Sequence, residues 1–212
     1  AYRRDGLTKL IYITLGDRVH QVDTDQLRAT GAVMSPEVIR RETDFRYTYQ
    51  DDYTRMISNL TQDPDRNRQI AADVIRQVRS RTGTALVVSD RVAHCEALQE
   101  LISAAEPRAQ VLTGQCSKAA REAIVQAVQS GQVDVLISTV QLLGEGFDCS
   151  GLSSLFLATP IKFKGRLLQV IGRILRPQDG KRPVVFDYVD KRVGVLKAQS
   201  VSRERALQEV VA

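Results

Sequence analysis

No apolar run in these 212 residues approaches the roughly 20 needed to span a membrane. Residues 1–30, polar and charged, do not read as a secretory signal. Cysteine is scarce. Cys95, Cys116 and Cys149 share no pair-like or metal-binding spacing, which argues against a disulfide framework and fits a reducing, cytoplasmic compartment. Each reads as a small buried residue rather than a nucleophile. No cluster of His, Cys, Asp or Glu has ligand spacing, so no metal site is expected in the chain itself. His20 reads as solvent-exposed and His94 as a packed or solvated helix residue; neither stands in a catalytic triad pattern. The most consequential absence is a Gly-x4-Gly-Lys-Ser/Thr loop, the backbone cradle for a triphosphate. A nucleotide met by this chain would find arginines but not the groups that hold its phosphates and Mg²⁺.

What is present is a foldable chain. Its hydrophobic fraction is 43%, with no low-complexity segment and no repeat, enough for one good core with extensions. Periodicity predicts a helix over 66–81, with Ile70, Val74, Ile75 and Val78 on one stripe, Asp63-Pro64 ahead of it and Gly83 behind. A second helix is predicted over 91–105, with Val92, Cys95, Leu98, Leu101 and Ile102 inward, and a third over 118–130, between Ser117 as cap and Gly131 as stop. Short apolar runs predict strands at 85–89, 110–112, 133–139, 155–158 and 184–188. Strands alternating with such helices imply an α/β fold, a parallel sheet with helices on both faces. Its binding sites belong at the carboxyl ends of the strands, which here means the loops after Ser89, Leu112, Thr139 and Ala158. Residues 1–60 are polar, with apolar pieces at 10–13 and 19–22 and a short helix from Thr24, and read as a connector or the tail of another domain. Residues 191–212 read as a basic, helix-prone tail.

The most informative stretch is Gln169-Val-Ile-Gly-Arg173-Ile-Leu-Arg176. Gln169, Arg173 and Arg176 fall at i, i+4 and i+7, one face of a helix. Leu167, Leu168, Val170, Ile171, Ile174 and Leu175 fill most of the rest, which predicts a mostly buried helix. Arginines held on such an element need a partner, and phosphate suits the forked, permanently charged guanidinium. Residues 162–182 carry seven bases (Lys162, Lys164, Arg166, Arg173, Arg176, Lys181, Arg182) and one acid, Asp179, against a whole-chain net charge of +5. The excess around this helix points to a polyanionic partner.

Three loops add to it. Thr139 to Asp148 follows a strand and carries Gly144 and Gly146, whose backbone could approach a phosphate or base, while Asp148 could accept from ribose hydroxyls. Thr113-Gly114 ends a strand and opens a helix, whose first N–H groups can bind phosphate. Ser89-Asp-Arg91 has the same placement.

Together these residues resemble superfamily 2 helicases. Gln169-x-x-Gly172-Arg173-x-x-Arg176 is similar to their motif VI, Thr139 through Gly146-Phe-Asp148 to motif V, and Leu86-Val-Val-Ser-Asp-Arg91 to motif IV. Order and spacing over about 66–190 are those of the second RecA-like domain, in DEAD/DEAH-type helicases close to type III restriction Res subunits and related repair helicases. The resemblance implies a RecA-like sheet, a P-loop NTPase fold without the P-loop itself. Residues 1–60 would be the tail of the first RecA-like domain and the connector, 61–190 the helicase C-terminal domain, and 191–212 a helical tail. The chain would be half of an ATP-dependent helicase or translocase, acting on DNA in restriction or repair and inactive alone. A nuclease or methylase partner is compatible with that setting. ATP and Mg²⁺ would sit mainly on the first domain of the same protein. Arg173 and Arg176 would serve as arginine fingers with Gln169 positioning them. Gly146, Asp148 and Gly172 would lie at the nucleotide. Thr139, Thr113, Gly114, Ser89 and Arg91 would contact the nucleic-acid strand.

Two other readings stay open from the residues alone. One is a non-catalytic basic α/β module that only clamps nucleic acid. The other is a Rossmann-like small-molecule domain built on the Gly146 loop, against which stands Cys149 where the dinucleotide fingerprint has its third glycine.

Overall fold

Strand β2, Thr84–Ser89, is buried at every position and runs through the middle of a six-stranded sheet. The computed structural model describes residues 34–80, 83–106, 108–142, 151–161, 164–174 and 181–211. The features read at 10–13, 19–22 and Thr24, together with His20, Gly146, Asp148, Cys149, Lys162 and Arg176, lie outside the described residues.

In chain order the elements are β1 (Glu37–Glu42), α1 (Tyr53–Gln62), α2 (Pro64–Ser80), β2, α3 (Val92–Ser103), β3 (Ala109–Leu112), α4 (Lys118–Gln129), β4 (Val135–Thr139), β5 (Leu152–Leu157), α5 (Lys164–Ile174), β6 (Val184–Val189) and α6 (Gly194–Val211). The strands lie in the order β1-β6-β5-β2-β4-β3, and every pairing is parallel. This is the α/β architecture that the alternating pattern predicts.

Local chemistry sets the element ends. Pro64 opens α2, where its missing N–H costs nothing, and Asp63 Oδ1 accepts from Arg66 N at 2.8 Å. Ser117 caps α4 by accepting from Ala120 N, and Gly131 follows with φ +71°. Gly83 turns the chain from α2 into β2 at φ +95°, a conformation side chains rarely adopt.

The main core joins Ile70, Ala71 and Val74 of α2 and Cys95, Leu98 and Ile102 of α3 to alternate residues of the sheet, including Val87, Ile137, Phe156 and Phe186. Phe156 and Phe186 are register partners on adjacent strands, and their rings stack with centroids 4.3 Å apart. Side chains alternate across a strand, so Leu86, Leu136 and Leu155 turn to the other face. There α5 packs on β5, and α6 packs on β6 and β1.

Three expectations change. Residues 1–60 are expected to be a connector or domain tail with little regular structure, yet within them β1 extends the sheet through its pairing with β6. Its sequence, EVIRRE, is too charged for an apolar-run reading and suits an edge strand. Helix α1 builds a second small core, Met56, Ile57 and Leu60 against Phe45, Val193 and Leu196. In α3, Leu101 is 39% exposed rather than inward, because Cys95, Leu98 and Ile102 already define the packed stripe.

Candidate functional site

The carboxyl edge of the sheet gathers the loops that the sequence singled out. Ser89 and Thr139 are register partners. Leu112 pairs with Ser138, so Thr113 follows beside Thr139. Backbone hydrogen bonds tie the edge together: Val140 N donates to Ser89 O at 2.8 Å and Ala158 N to Val88 O at 2.9 Å. Asp90 N donates to Thr159 Oγ1 at 2.9 Å.

Ser89, Thr113 and Thr139 are buried. Gly114 is exposed, with no atom within 4 Å of where a side chain would begin. Arg91 is partly exposed. A ligand crossing this edge would therefore meet the backbone of the 113–115 loop and the Arg91 side chain before the threonine hydroxyls.

Beneath the edge lies a polar network that the sequence reading missed. Arg66 is 2% exposed. Its Nε donates to Asp190 Oδ1 at 2.8 Å and its Nη1 to Ala158 O at 2.7 Å. Thr43 Oγ1 donates to the same carboxylate at 2.6 Å. Asn67 reaches His94 Nε2 through its Oδ1, and His94 Nδ1 meets Ser89 Oγ, both at 2.9 Å. Burial, with the Arg66 charge nearby, pushes the His94 pKa down to about 3, so the ring is neutral. Burial likewise pushes the Cys95 thiol up to about 12, leaving an unreactive packing residue. A signal for this network was present: Asn67 and Gln77 lie on the same helical stripe as Ile70 and Val74, polar residues at core positions.

Helix α5 is one-sided rather than mostly buried. Leu167, Val170, Ile171 and Ile174 face the protein. Gln169 and Gly172 are exposed and Arg173 is half-buried. The all-round apolar appearance came from Leu168 and Leu175; Leu168 is only half-buried, and Leu175 lies outside the described residues. The open face thus carries Gln169, Gly172 and Arg173 together. No described atom comes within 4 Å of a side chain built at Gly172. A glycine inside a helix costs about 1 kcal/mol relative to alanine, and nothing in the described chain requires this one.

The basic stretch is not one open patch. Lys181 is buried, Lys164 is exposed but paired with Glu209 at 2.5 Å, and Arg182 is exposed. Among the described residues no group of three or more His, Cys, Asp or Glu could hold a metal ion, and no helix is long and apolar enough to cross a membrane.

Residues 67–178, just over half of the chain, match the helicase conserved C-terminal domain. The chain belongs to that family. It is 25% identical over 199 residues to the ATP-dependent DNA helicase UvsW of enterobacteria phage T4, covering 88% of this chain and 39% of that protein. It is 29% identical over 157 residues to a protein of Acanthamoeba polyphaga mimivirus named provisionally as an ATP-dependent RNA helicase, covering 74% of this chain and 29% of that protein. The crystal structure of T4 UvsW superposes with a TM-score of 0.67 at 17% identity, over 84% of this chain and 40% of that one. The C-terminal domain of the DEAD-box protein Dbp5 gives 0.58 at 13% identity, over 85% and 86%. The fold is thus the RecA-like α/β sheet of helicase C-terminal domains. The chain spans well under half the length of these curated relatives.

Proposed function

We propose that this helicase C-terminal domain is the second RecA-like half of an ATP-driven motor that moves on DNA in restriction or repair, in the cytoplasm, with ATP and Mg²⁺ held mainly by a first RecA-like domain of the same protein. In this reading 1–60 is the tail of that first domain and the connector, with β1 and most of α1 adding to the second domain from within that span. Residues 61–190 form the motor half and 191–212 its helical tail. The observation that carries it is the open face of α5. Gln169, Gly172 and Arg173 share a surface with room for a close approach.

Arg173 and Arg176 would stabilise charge on the transferring phosphoryl group, with Gln169 holding them in place. Gly172, Gly146 and Asp148 would lie against the nucleotide. ATP supplies the driving chemistry when bound; this chain would orient guanidinium donors toward it. Supplying those donors from a second domain ties hydrolysis to closure of the cleft. At the carboxyl edge Arg91, Gly114 and the backbone beside Thr113 and Thr139 would grip the strand, with Ser89 acting from beneath. DNA is supported by the likeness to UvsW, named a DNA helicase, which covers 88% of this chain. A relation to type III restriction Res subunits, and with it a nuclease or methylase partner, belongs to the same proposal.

The test is ATPase turnover of the protein carrying both domains. Arg173→Ala and Arg176→Ala are each expected to lower kcat by about 10³ or more, the effect of losing an arginine finger. Turnover near wild type with only strand binding weakened would overturn the finger assignment and leave a basic nucleic-acid-binding module.

A further inference from the structure

The hydrogen bonds around His94 run in one direction. Asn67 Nδ2 donates to Thr61 O at 2.8 Å, which fixes the amide and turns Oδ1 toward His94 Nε2. An amide oxygen can only accept, so Nε2 carries the proton and Nδ1 is left as an acceptor. Ser89 Oγ must then donate to Nδ1. Its lone pair is free to accept from Arg91 N at 3.1 Å. Every member is buried except the last, which opens the loop of the carboxyl edge: Asn67 is 5% exposed, His94 2% and Ser89 0%. Ser89 also receives Val140 N on its carbonyl. One serine therefore anchors both the loop after β2 and the loop after β4.

We infer that His94 is a positioning residue, which orients the Ser89 hydroxyl and so fixes the strand-gripping loop at Arg91 against the corner between α1 and α2. The inference rests on the reading of the carboxyl edge as the nucleic-acid grip. It touches no strand itself. A buried hydroxyl without a partner would rotate, and Arg91 N–H would lose a fixed acceptor. The imidazole is suited to this because its two nitrogens face opposite ways. One ring spans from a helix start to the end of a strand with a donor on one side and an acceptor on the other.

Two amides divide the ring's work. In His94→Asn the side-chain oxygen can take the place of Nδ1 and accept from Ser89, while the bond to Asn67 is lost. In His94→Gln the terminal NH₂ can replace Nε2 and donate to Asn67, while Ser89 loses its acceptor. Each leaves buried polar groups unpaired, so the two are expected to lower the melting temperature alike. Binding of a fluorescein-labelled single-stranded DNA oligonucleotide to the chain is then measured, with hydrogen exchange at the Arg91 amide read in parallel. His94→Asn is expected to stay within about twofold of wild-type affinity with Arg91 protected. His94→Gln is expected to lose on the order of tenfold, with Arg91 exchanging freely. Equal losses in both variants, or a milder loss in His94→Gln, would overturn the positioning role. If the wild-type chain binds no oligonucleotide, the strand-grip reading fails. Arg91 exchange then still decides the relay: a difference between the variants supports it and its absence overturns it.

Discussion

Arg66 and Asp190, 124 positions apart, meet in the interior with Nε 2.8 Å from Oδ1. Their side chains are 1% and 0% exposed. The pair closes the sheet's carboxyl end, since Arg66 also donates to Ala158 O and Thr43 to Asp190. Asp190→Ala should leave a buried, uncompensated guanidinium and cost about 3–5 kcal/mol. Arg66→Met combined with Asp190→Leu should cost clearly less than either single change. Urea denaturation of the three variants checks the order.

The neutral His94 makes stability depend on acid. Its folded pKa, about 3, lies below the ordinary 6.5. The unfolded chain therefore takes up a proton that the native state refuses. This contribution is fully present above about pH 6.5 and is lost as pH falls toward 3, by up to about 1.4 kcal/mol per pH unit. Asp187, whose carboxyl is held up by burial, works in the opposite sense over the acid range. The difference in melting curves between wild type and His94→Asn isolates the histidine. It should shrink steadily from pH 7 to pH 4, and a difference independent of pH would contradict a neutral buried ring.

Gly172 separates stability from function. With nothing within 4 Å of a built side chain, Gly172→Ala should stabilise the isolated chain by about 1 kcal/mol through helix propensity. If the proposed arrangement holds, the same change in the protein carrying both domains should lower ATPase activity, because the added methyl would stand where the nucleotide-bearing domain is proposed to approach. Thermal melting and steady-state turnover measure the two effects independently.

Gly83 and Gly114 form a contrasting pair. A side chain at Gly83 would start 2.8 Å from Ser153 Cβ, at φ +95°, so Gly83→Ala should cost about 1–3 kcal/mol in strain. Gly114 has free space and no positive φ. Gly114→Ala should change stability by no more than about 0.5 kcal/mol, so any loss of oligonucleotide affinity there reports contact at the edge.

Strands β2 to β6 were legible because each holds a short apolar run, and helices α2 and α3 because each carries an apolar stripe. Ser117, Pro64 and Gly131 signal their ends through cap and turn chemistry that is local in sequence. What was not legible depended on distant partners. β1 is charged at Glu37, Arg40, Arg41 and Glu42 and becomes a strand only because β6 is there to pair with it. Asn67 stands out only as a polar residue on an apolar stripe, and the partners that give Arg66 and Asn67 their roles, Asp190 and His94, lie 124 and 27 positions away. That Gln169 and Arg173 share a face was recognisable from their i, i+4 spacing; Gly172 joins it only in the structure. The exposure of that face was not recognisable, since an apolar count cannot tell which leucines find a neighbour.

Helix α5 also acts as a ruler. It begins just after the carboxyl end of β5, and at 1.5 Å per residue Arg173 stands about 14 Å along it from Lys164. Its pitch fixes direction as firmly as distance. One residue inserted between Gly165 and Gly172 would swing Arg173 by about 100° around the axis, away from the open side, without altering a single residue type. Insertions and deletions in this stretch should therefore be far less tolerable than substitutions at its exposed positions.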